Sequence, residues 1–273
     1  MANLAQRLAL LRSWRNPDGG WGYFPGKQSW LEPTVWAGLA LADDRAAAGR
    51  TWELVRAWRN PDGGWRPMAA PCDSTWGTAL ALTLASVLGR DGPEVENGVR
   101  WLIETRGAES TLLNRILRAM GSSAVEREVK YAGWPWRRQT SAWLEPTVHA
   151  LVALKKVGQR RPDALLAARI DAGERMLLSL RCQDGGWNYG SPRALGHDLP
   201  SYAETTGLAL IGLQDRAPAD AVEYARRIPE AQASPLARAW LRLATGGGEV
   251  QQDFGSDVLL TALASVDPGV LRS

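Results

Sequence analysis

The chain has 273 residues, enough for one large domain or two small ones, and its 45% hydrophobic and 22% charged residues are the balance of an ordinary globular protein. A formal net charge of +3, carried mostly by scattered arginines with no basic block, gives no reason to expect nucleic acid as a partner. The N-terminus lacks the apolar run of a signal peptide, the longest apolar stretch (Thr78 to Leu88) is too short to span a bilayer, and Cys72 and Cys182 make no disulfide framework. The expectation is a cytoplasmic protein with no transmembrane segment. Peripheral membrane contact stays open, and no protein partner can be named.

From the N-terminus, an amphipathic helix is expected near 3–14. It runs into the turn Asp18-Gly19-Gly20-Trp21, and eleven residues after Trp21 comes Glu32-Pro33-Thr34, opening a helix near 30–43 that is apolar on nearly every face. Proline suits a first helical turn, and an acid there meets the positive end of the helix dipole. The same order then returns. An amphipathic helix near 46–58 leads to Asp62-Gly63-Gly64-Trp65, and Asp73-Ser74-Thr75 opens an apolar helix near 74–88. A third pair is expected near 94–105 and 110–121, the latter opened by Glu109-Ser110-Thr111. A fourth joins 124–130 to 143–156 through the weaker turn Ala132-Gly133-Trp134 and Glu145-Pro146-Thr147. The fifth joins 161–180 to 202–214 through Asp184-Gly185-Gly186-Trp187 and Glu204-Thr205-Thr206. Helices near 218–228 and 234–245 make a sixth pair. Gly49, Gly98 and Gly173, each three residues before Trp52, Trp101 and Met176, recur in the helices ahead of the turns.

Buried and amphipathic helices alternate, and self-similarity at such periods marks stacked helical repeats. The expected fold is all-α, an α/α toroid of about six hairpins with inner and outer layers, spanning 1–273 as one domain, with 250–273 as a closing or capping segment. The acid-x-Thr sites, spaced by 41, 36, 36 and 59 residues, would set Glu32, Asp73, Glu109, Glu145 and Glu204 at one helix end. Crowded carboxyls raise one another's pKa, and a carboxylic acid kept protonated can protonate an alkene or another weak base. The plainer reading is that acids stabilise helix starts, with Ser29/Glu32 and Ser201/Glu204 as capping boxes.

Trp36 and His149 lie four residues after their acids and so share a helix face with them. Together with Trp30, Trp76 and Trp143 they are the candidates for contacting an apolar ligand. His197, in the long loop before Glu204, reads as solvent-exposed. Cys72, Asp73, His149 and His197 have no second ligand at metal spacing, and there is no glycine-rich phosphate loop, so no metal and no cofactor is expected. Two scattered histidines support no Ser-His-Asp arrangement.

The Asp-Gly-Gly-Trp copies, taken with the acid-x-Thr segments and the Ala/Leu-rich helices, resemble the Gln-Trp repeats of the squalene–hopene cyclase and prenyltransferase superfamily. The resemblance covers most of the chain and is weakest at 107–130 and beyond 216. Arg15, Arg59 and Arg181 stand where the repeat has glutamine. The resemblance implies an α/α toroid and a terpenoid or isoprenoid ligand in a central cavity. In the cyclases the proton-donating acid lies in an Asp-x-Asp-Asp-Thr segment opening an inner helix; aligned through the threonine, the five acids here match its middle Asp, and the full motif is absent. Two other readings stay open: a non-catalytic scaffold that binds a protein partner, and a carbohydrate-active toroid, whose chemistry uses two carboxylates.

Overall fold

The computed structural model describes residues 3–110, 131–229, 233–247 and 254–273. Among these residues the α-helices are α1 (Leu4–Ser13), α2 (Leu31–Ala40), α3 (Arg45–Ala57), α4 (Gly77–Val87), α5 (Pro93–Glu104), α6 (Leu144–Arg160), α7 (Ala164–Ser179), α8 (Ala203–Leu213), α9 (Ala219–Arg227), α10 (Pro235–Thr245) and α11 (Val258–Leu263). Apart from isolated bridges, the strands among the described residues form a two-residue hairpin, Arg193–Ala194 with His197–Asp198, whose tip residues Leu195 and Gly196 both have positive φ as a tight hairpin turn requires. The expected helices near 110–121 and 124–130 fall on residues 111–130, outside the described residues.

The chain forms two compact units. The first comprises Met1–Leu102 with Gly246–Arg272, and the second Ile103–Thr245 with Ser273. In the first, α2 and α4 are buried on almost every face, and α3 buries only Ala47, Ala48, Thr51, Trp52 and Val55. Such a helix needs neighbours all round, and α2 has them in α3, α4 and α11. The C-terminal α11 also lies on α1. There Arg7, almost fully buried, donates to Ser265 Oγ and to the Ala264 carbonyl, each at 3.3 Å. In the second unit, α6 buries a continuous run from Pro146 to Leu154, and α8 one from Thr205 to Leu213. Helix α8 packs on α6, α7, α9 and α10. Helix α10 contributes one face through Ala237, Ala239, Trp240 and Leu243, which makes it amphipathic where the sequence predicts an inner, buried helix.

The repeated turn explains why buried and half-buried helices alternate. Gly19, Gly63 and Gly185 hold φ of 91°, 92° and 106°, a conformation open to glycine at little cost. The Asp before each accepts the backbone N–H two residues on. The indole that follows is fully buried, and its Nε1–H donates to a carbonyl ten residues back: Trp21 to Leu11 (2.7 Å), Trp65 to Val55 (2.8 Å) and Trp187 to Leu177 (2.7 Å). Each turn tryptophan therefore ties the end of one helix to the approach of the next. The arginines in the glutamine's place act around these indoles in two copies. Arg15 sits 4.7 Å from the Trp21 ring centroid and donates to Ala47 O, and Arg181 sits 5.8 Å from the Trp187 centroid and donates to Gly185 O. Trp134 receives its cation from elsewhere: Arg169, on α7, stacks 3.4 Å from the ring centroid.

Two of the recurring glycines, Gly98 and Gly173, make room for the indoles of Trp65 and Trp134. A Cβ on Gly98 would stand 2.6 Å from Trp65 Cζ3 and 3.1 Å from Leu82 Cδ2. Both neighbours are buried, so neither can give way freely. Gly98→Ala is expected to destabilise the protein by about 1–3 kcal/mol, the usual cost of overpacking, even though alanine is the better helix former. Denaturant titration checks this, and a stabilised variant would mean that the indole relaxes.

Candidate functional site

The register of the acids is set by a hydrogen bond. The backbone N–H of Trp21, Trp65, Trp134 and Trp187 donates to the hydroxyl of Thr34, Thr78, Thr147 and Thr206, at 2.9, 2.9, 2.9 and 3.1 Å. Glu32, Glu145 and Glu204 precede their threonines by two residues and occupy the second position of α2, α6 and α8. The second copy departs from the predicted alignment. Its structural threonine is Thr78 rather than Thr75, so Trp76 takes the place of the acid. Asp73 is exposed and lies ahead of α4, outside any helix. Glu109 departs as well. It is buried on a 3-10 turn, Ala108–Ser110, and both its oxygens accept the Ala142 backbone N–H, at 3.0 and 3.1 Å.

The capping boxes expected at Ser29/Glu32 and Ser201/Glu204 do not form. The N-caps are Trp30 and Tyr202, without side-chain caps. Ser29 donates instead to Asp18 in the turn, and the Ser201 hydroxyl bonds that of Tyr224. The glutamates lie beside tyrosines. In the first unit, Tyr23 Oη donates to Glu32 Oε2 at 2.6 Å, and the Tyr23 ring lies 6.1 Å from that of Trp30. In the second, Tyr189 stands beside Glu204, and its ring lies 5.5 Å from that of Tyr202. Tyr23 and Tyr189 each stand two residues after a turn tryptophan. That recurrence, Trp21-x-Tyr23 and Trp187-x-Tyr189, was readable in the sequence.

Around Glu204 the second unit gathers titratable and aromatic groups. Burial raises the pKa of its carboxyl, the neighbouring Tyr189 hydroxyl opposes this, and the charge of Glu145 raises it further. Tyr189 itself is pushed up to about 12 by burial and by the Glu204 and Glu145 charges, so it remains a donor throughout the neutral range. His149 Nε2 is 3.9 Å from Glu145 Oε1, and its ring lies 5.9 Å from that of Trp240, a residue the sequence did not single out. Such a set can hold one carboxyl protonated beside another that bears charge.

The candidate ligand-contacting residues divide by exposure. Trp36 and His149 are buried, Trp30 and Trp76 are half-buried, and Trp143 is 39% exposed. His197 is exposed on the small hairpin. Toward the C-terminal end of α8, away from Glu204, Lys155 donates to the carbonyls of Gly212 and Leu213, each at 2.9 Å, and pairs with buried Glu174 at 2.7 Å. That arrangement satisfies helix-end carbonyls and is structural. Among the described residues no group of three or more His, Cys, Asp or Glu side chains is disposed to hold a metal ion, and no helix is long and apolar enough to cross a membrane.

No protein-family model and no curated protein sequence matches the chain. Solved structures do. A single-residue variant of the type II terpene cyclase MstE from Scytonema, in complex with the substrate geranylgeranyl dihydroxybenzoate, aligns at 18% identity and a TM-score of 0.56, over 96% of this chain and 76% of that one. The endo-beta-1,4-glucanase CMCax from Acetobacter xylinum aligns at 14% identity and a TM-score of 0.64, over 99% of this chain and 98% of that one. An ent-copalyl diphosphate synthase from Streptomyces platensis aligns at 17% identity and a TM-score of 0.51, over 98% of this chain but 46% of the synthase. Likeness at these identities establishes the fold: the chain is an all-α protein of the α/α-toroid class shared by terpene cyclases and a glucanase.

Proposed function

We propose that the protein binds an apolar, isoprenoid-type ligand and that Glu204 donates the proton that begins its conversion. The observation that carries this reading is the Glu204 carboxyl itself. Its proton affinity is raised by burial and by Glu145, and beside it stands Tyr189, whose ring lies 5.5 Å from that of Tyr202. Proton transfer from a positioned carboxyl to an alkene carbon leaves a carboxylate on the protein and a carbocation on the ligand, and aromatic faces favour such a cation. Loss of a proton from the ligand then closes the reaction. In this scheme Tyr189 orients Glu204, and Glu145 supplies the neighbouring charge. Glu32 with Tyr23 repeats the carboxyl–phenol pair in the first unit. Trp30, Trp36, Trp76 and Trp143 are proposed as apolar contacts for the ligand.

One observation favours a second reading. The likeness to the glucanase extends over nearly the whole of both chains, and paired carboxyls are what glycoside hydrolysis requires. A single experiment separates the two. The purified protein is incubated with geranylgeranyl dihydroxybenzoate and, separately, with β-1,4-linked gluco-oligosaccharides. A new product of unchanged mass from the first is the expected result, since cyclisation rearranges bonds without loss of atoms. New reducing ends from the second would replace the isoprenoid reading with the glycosidase one. Neither product, together with no lipid retained in native mass spectrometry, would leave a scaffold.

A further inference from the structure

We propose that the hairpin Arg193–Asp198 of the second unit is a docking element that seats its apolar tip in an uncharged lipid surface. Comparison of the repeats shows that the hairpin is not needed to make the turn. From the turn tryptophan to the threonine that accepts its N–H, the chain takes thirteen residues for Trp21, Trp65 and Trp134, and nineteen for Trp187. The six further residues match the length of the hairpin, 193–198. The same copy lacks a fastening. Asn16 Nδ2 donates to Lys27 O at 2.8 Å and to Ser29 Oγ at 2.9 Å, and Asn60 Nδ2 to Cys72 O at 2.9 Å and to Ser74 Oγ at 3.0 Å, so each asparagine ties its loop to its turn. Cys182 holds the equivalent place, its N–H on Gly186 O as those of Asn16 and Asn60 are on Gly20 O and Gly64 O. A thiol has no pair of amide N–H donors with which to replace those bonds. The copy that carries Glu204 therefore departs from the others both in loop length and in how the loop is held.

The hairpin adds little to the core. Leu195 at its tip is 89% exposed, and Arg193, Gly196, His197, Asp198 and Leu199 are exposed as well. Leu195 also holds φ 51°, a left-handed conformation that costs a residue with a Cβ. The hairpin is nonetheless built. Arg193 donates to Gly196 O at 3.1 Å, Ser191 Oγ to Arg193 O at 2.6 Å, and the Leu199 N–H to Pro192 O at 2.8 Å. At its foot the Ser201 N–H donates to Asp184 and the Tyr202 N–H to Trp187 O, each at 2.8 Å. Tyr189 and Tyr202, both exposed, flank that foot with ring centroids 5.5 Å apart. A leucine tip beyond a pair of tyrosines is the order that a water–lipid boundary favours, with carbon deeper and phenols at the headgroups. Three residues of strand rise about 10 Å, and interfacial segments bury their apolar faces to roughly 5–10 Å. Charge then selects the kind of lipid. Arg193 and Asp198 face each other at 3.8 Å and cancel, and the carboxyl groups near the foot are those of Asp184, Glu145 and Glu204. An anionic headgroup gains nothing against that set, and a zwitterionic one loses nothing. This inference does not rest on the reading of Glu204 as a proton donor.

The test is flotation of the intact protein with vesicles of phosphatidylcholine alone, and of phosphatidylcholine mixed with phosphatidylserine, at low and at high salt. Binding to the neutral vesicles is expected, with no gain from phosphatidylserine and little change with salt. L195D and L195S are each expected to weaken it about tenfold or more, the effect of withdrawing one leucine side chain from lipid. Deletion of residues 193–198, which restores the thirteen-residue spacing, is expected to do the same. L165D, at a leucine on α7 that is 71% exposed, is expected to bind as the parent does. Leu195 is almost fully exposed, so its variants are expected to fold, and circular dichroism checks that they do. The inference is overturned if the parent floats with neither vesicle, or only with the anionic ones and in a salt-sensitive way. It is also overturned if the Leu195 variants and the deletion float as the parent does, or if L165D weakens binding as much as L195D. Self-association that L195D abolishes, without flotation, would overturn it too and assign the hairpin to a second copy of the chain.

Discussion

Replacing Trp21, Trp65 or Trp187 by alanine is expected to cost about 3–5 kcal/mol each, the range for deleting a buried tryptophan. The three indoles are 0% exposed, and each also donates from Nε1 to a carbonyl near the end of the helix before it. Alanine would leave a cavity and an unpaired carbonyl together, and the two costs act in the same direction. The effect is read as a shift of the urea midpoint with an unchanged slope. A loss under about 1 kcal/mol at all three sites would mean that the repeated turn does not hold the helices in place, against the reading that it fixes the fold. Trp143, which is 39% exposed, provides the contrast: its alanine variant is expected to cost far less.

Under the proposed function, with Glu204 as proton donor, Glu204→Gln is expected to reduce turnover of an isoprenoid substrate by about 10²–10⁴-fold, the usual contribution of a positioned general acid. Ligand binding should change only a few-fold, because glutamine keeps the size and polarity of the side chain. Asp73→Asn should leave turnover within a few-fold of the parent, since Asp73 stands outside the helix register of the other acids. Stability supplies a readout that does not depend on the substrate. The pKa of Glu204 is raised in the folded state. The folded protein therefore holds this proton more tightly than the unfolded chain does. The resulting stability is fully present below the ordinary glutamate value and is lost as pH rises through the folded pKa. In Glu204→Gln this loss should disappear, leaving the variant relatively more stable than the parent above that pH. Identical pH profiles for parent and variant would show that the carboxyl is not perturbed, and the proton-donor role would fall with it.

Most of the secondary structure was legible because its signals are local. An Asp-Gly-Gly-Trp turn, a helix apolar on every face and a helix apolar on one face can each be read within a dozen residues. On that basis the expected helices of 30–43, 143–156 and 202–214 appear as Leu31–Ala40, Leu144–Arg160 and Ala203–Leu213. The site was legible only in part. Glu32, Glu145 and Glu204 are placed by threonines that the sequence aligns correctly. In the second copy two threonines compete, and the sequence offers Thr75 where the Trp65 N–H selects Thr78. Only a hydrogen bond across thirteen residues resolves that choice, and it moves Asp73 out of the set and Trp76 into its place.

The sequence by itself determined the repeat, the alternation of helices and the chemical character of each helix start, since all of these follow from residue type at fixed spacing. The tertiary structure alone decided what each acid does. Glu109 is spent on a backbone N–H, Glu32 turns to Tyr23 instead of capping its helix, Glu204 lies beside Tyr189, and Arg169 rather than a turn arginine covers Trp134. The physical reason is that a side chain's partner and its proton affinity depend on burial and on groups far away along the chain, and no local spacing encodes either.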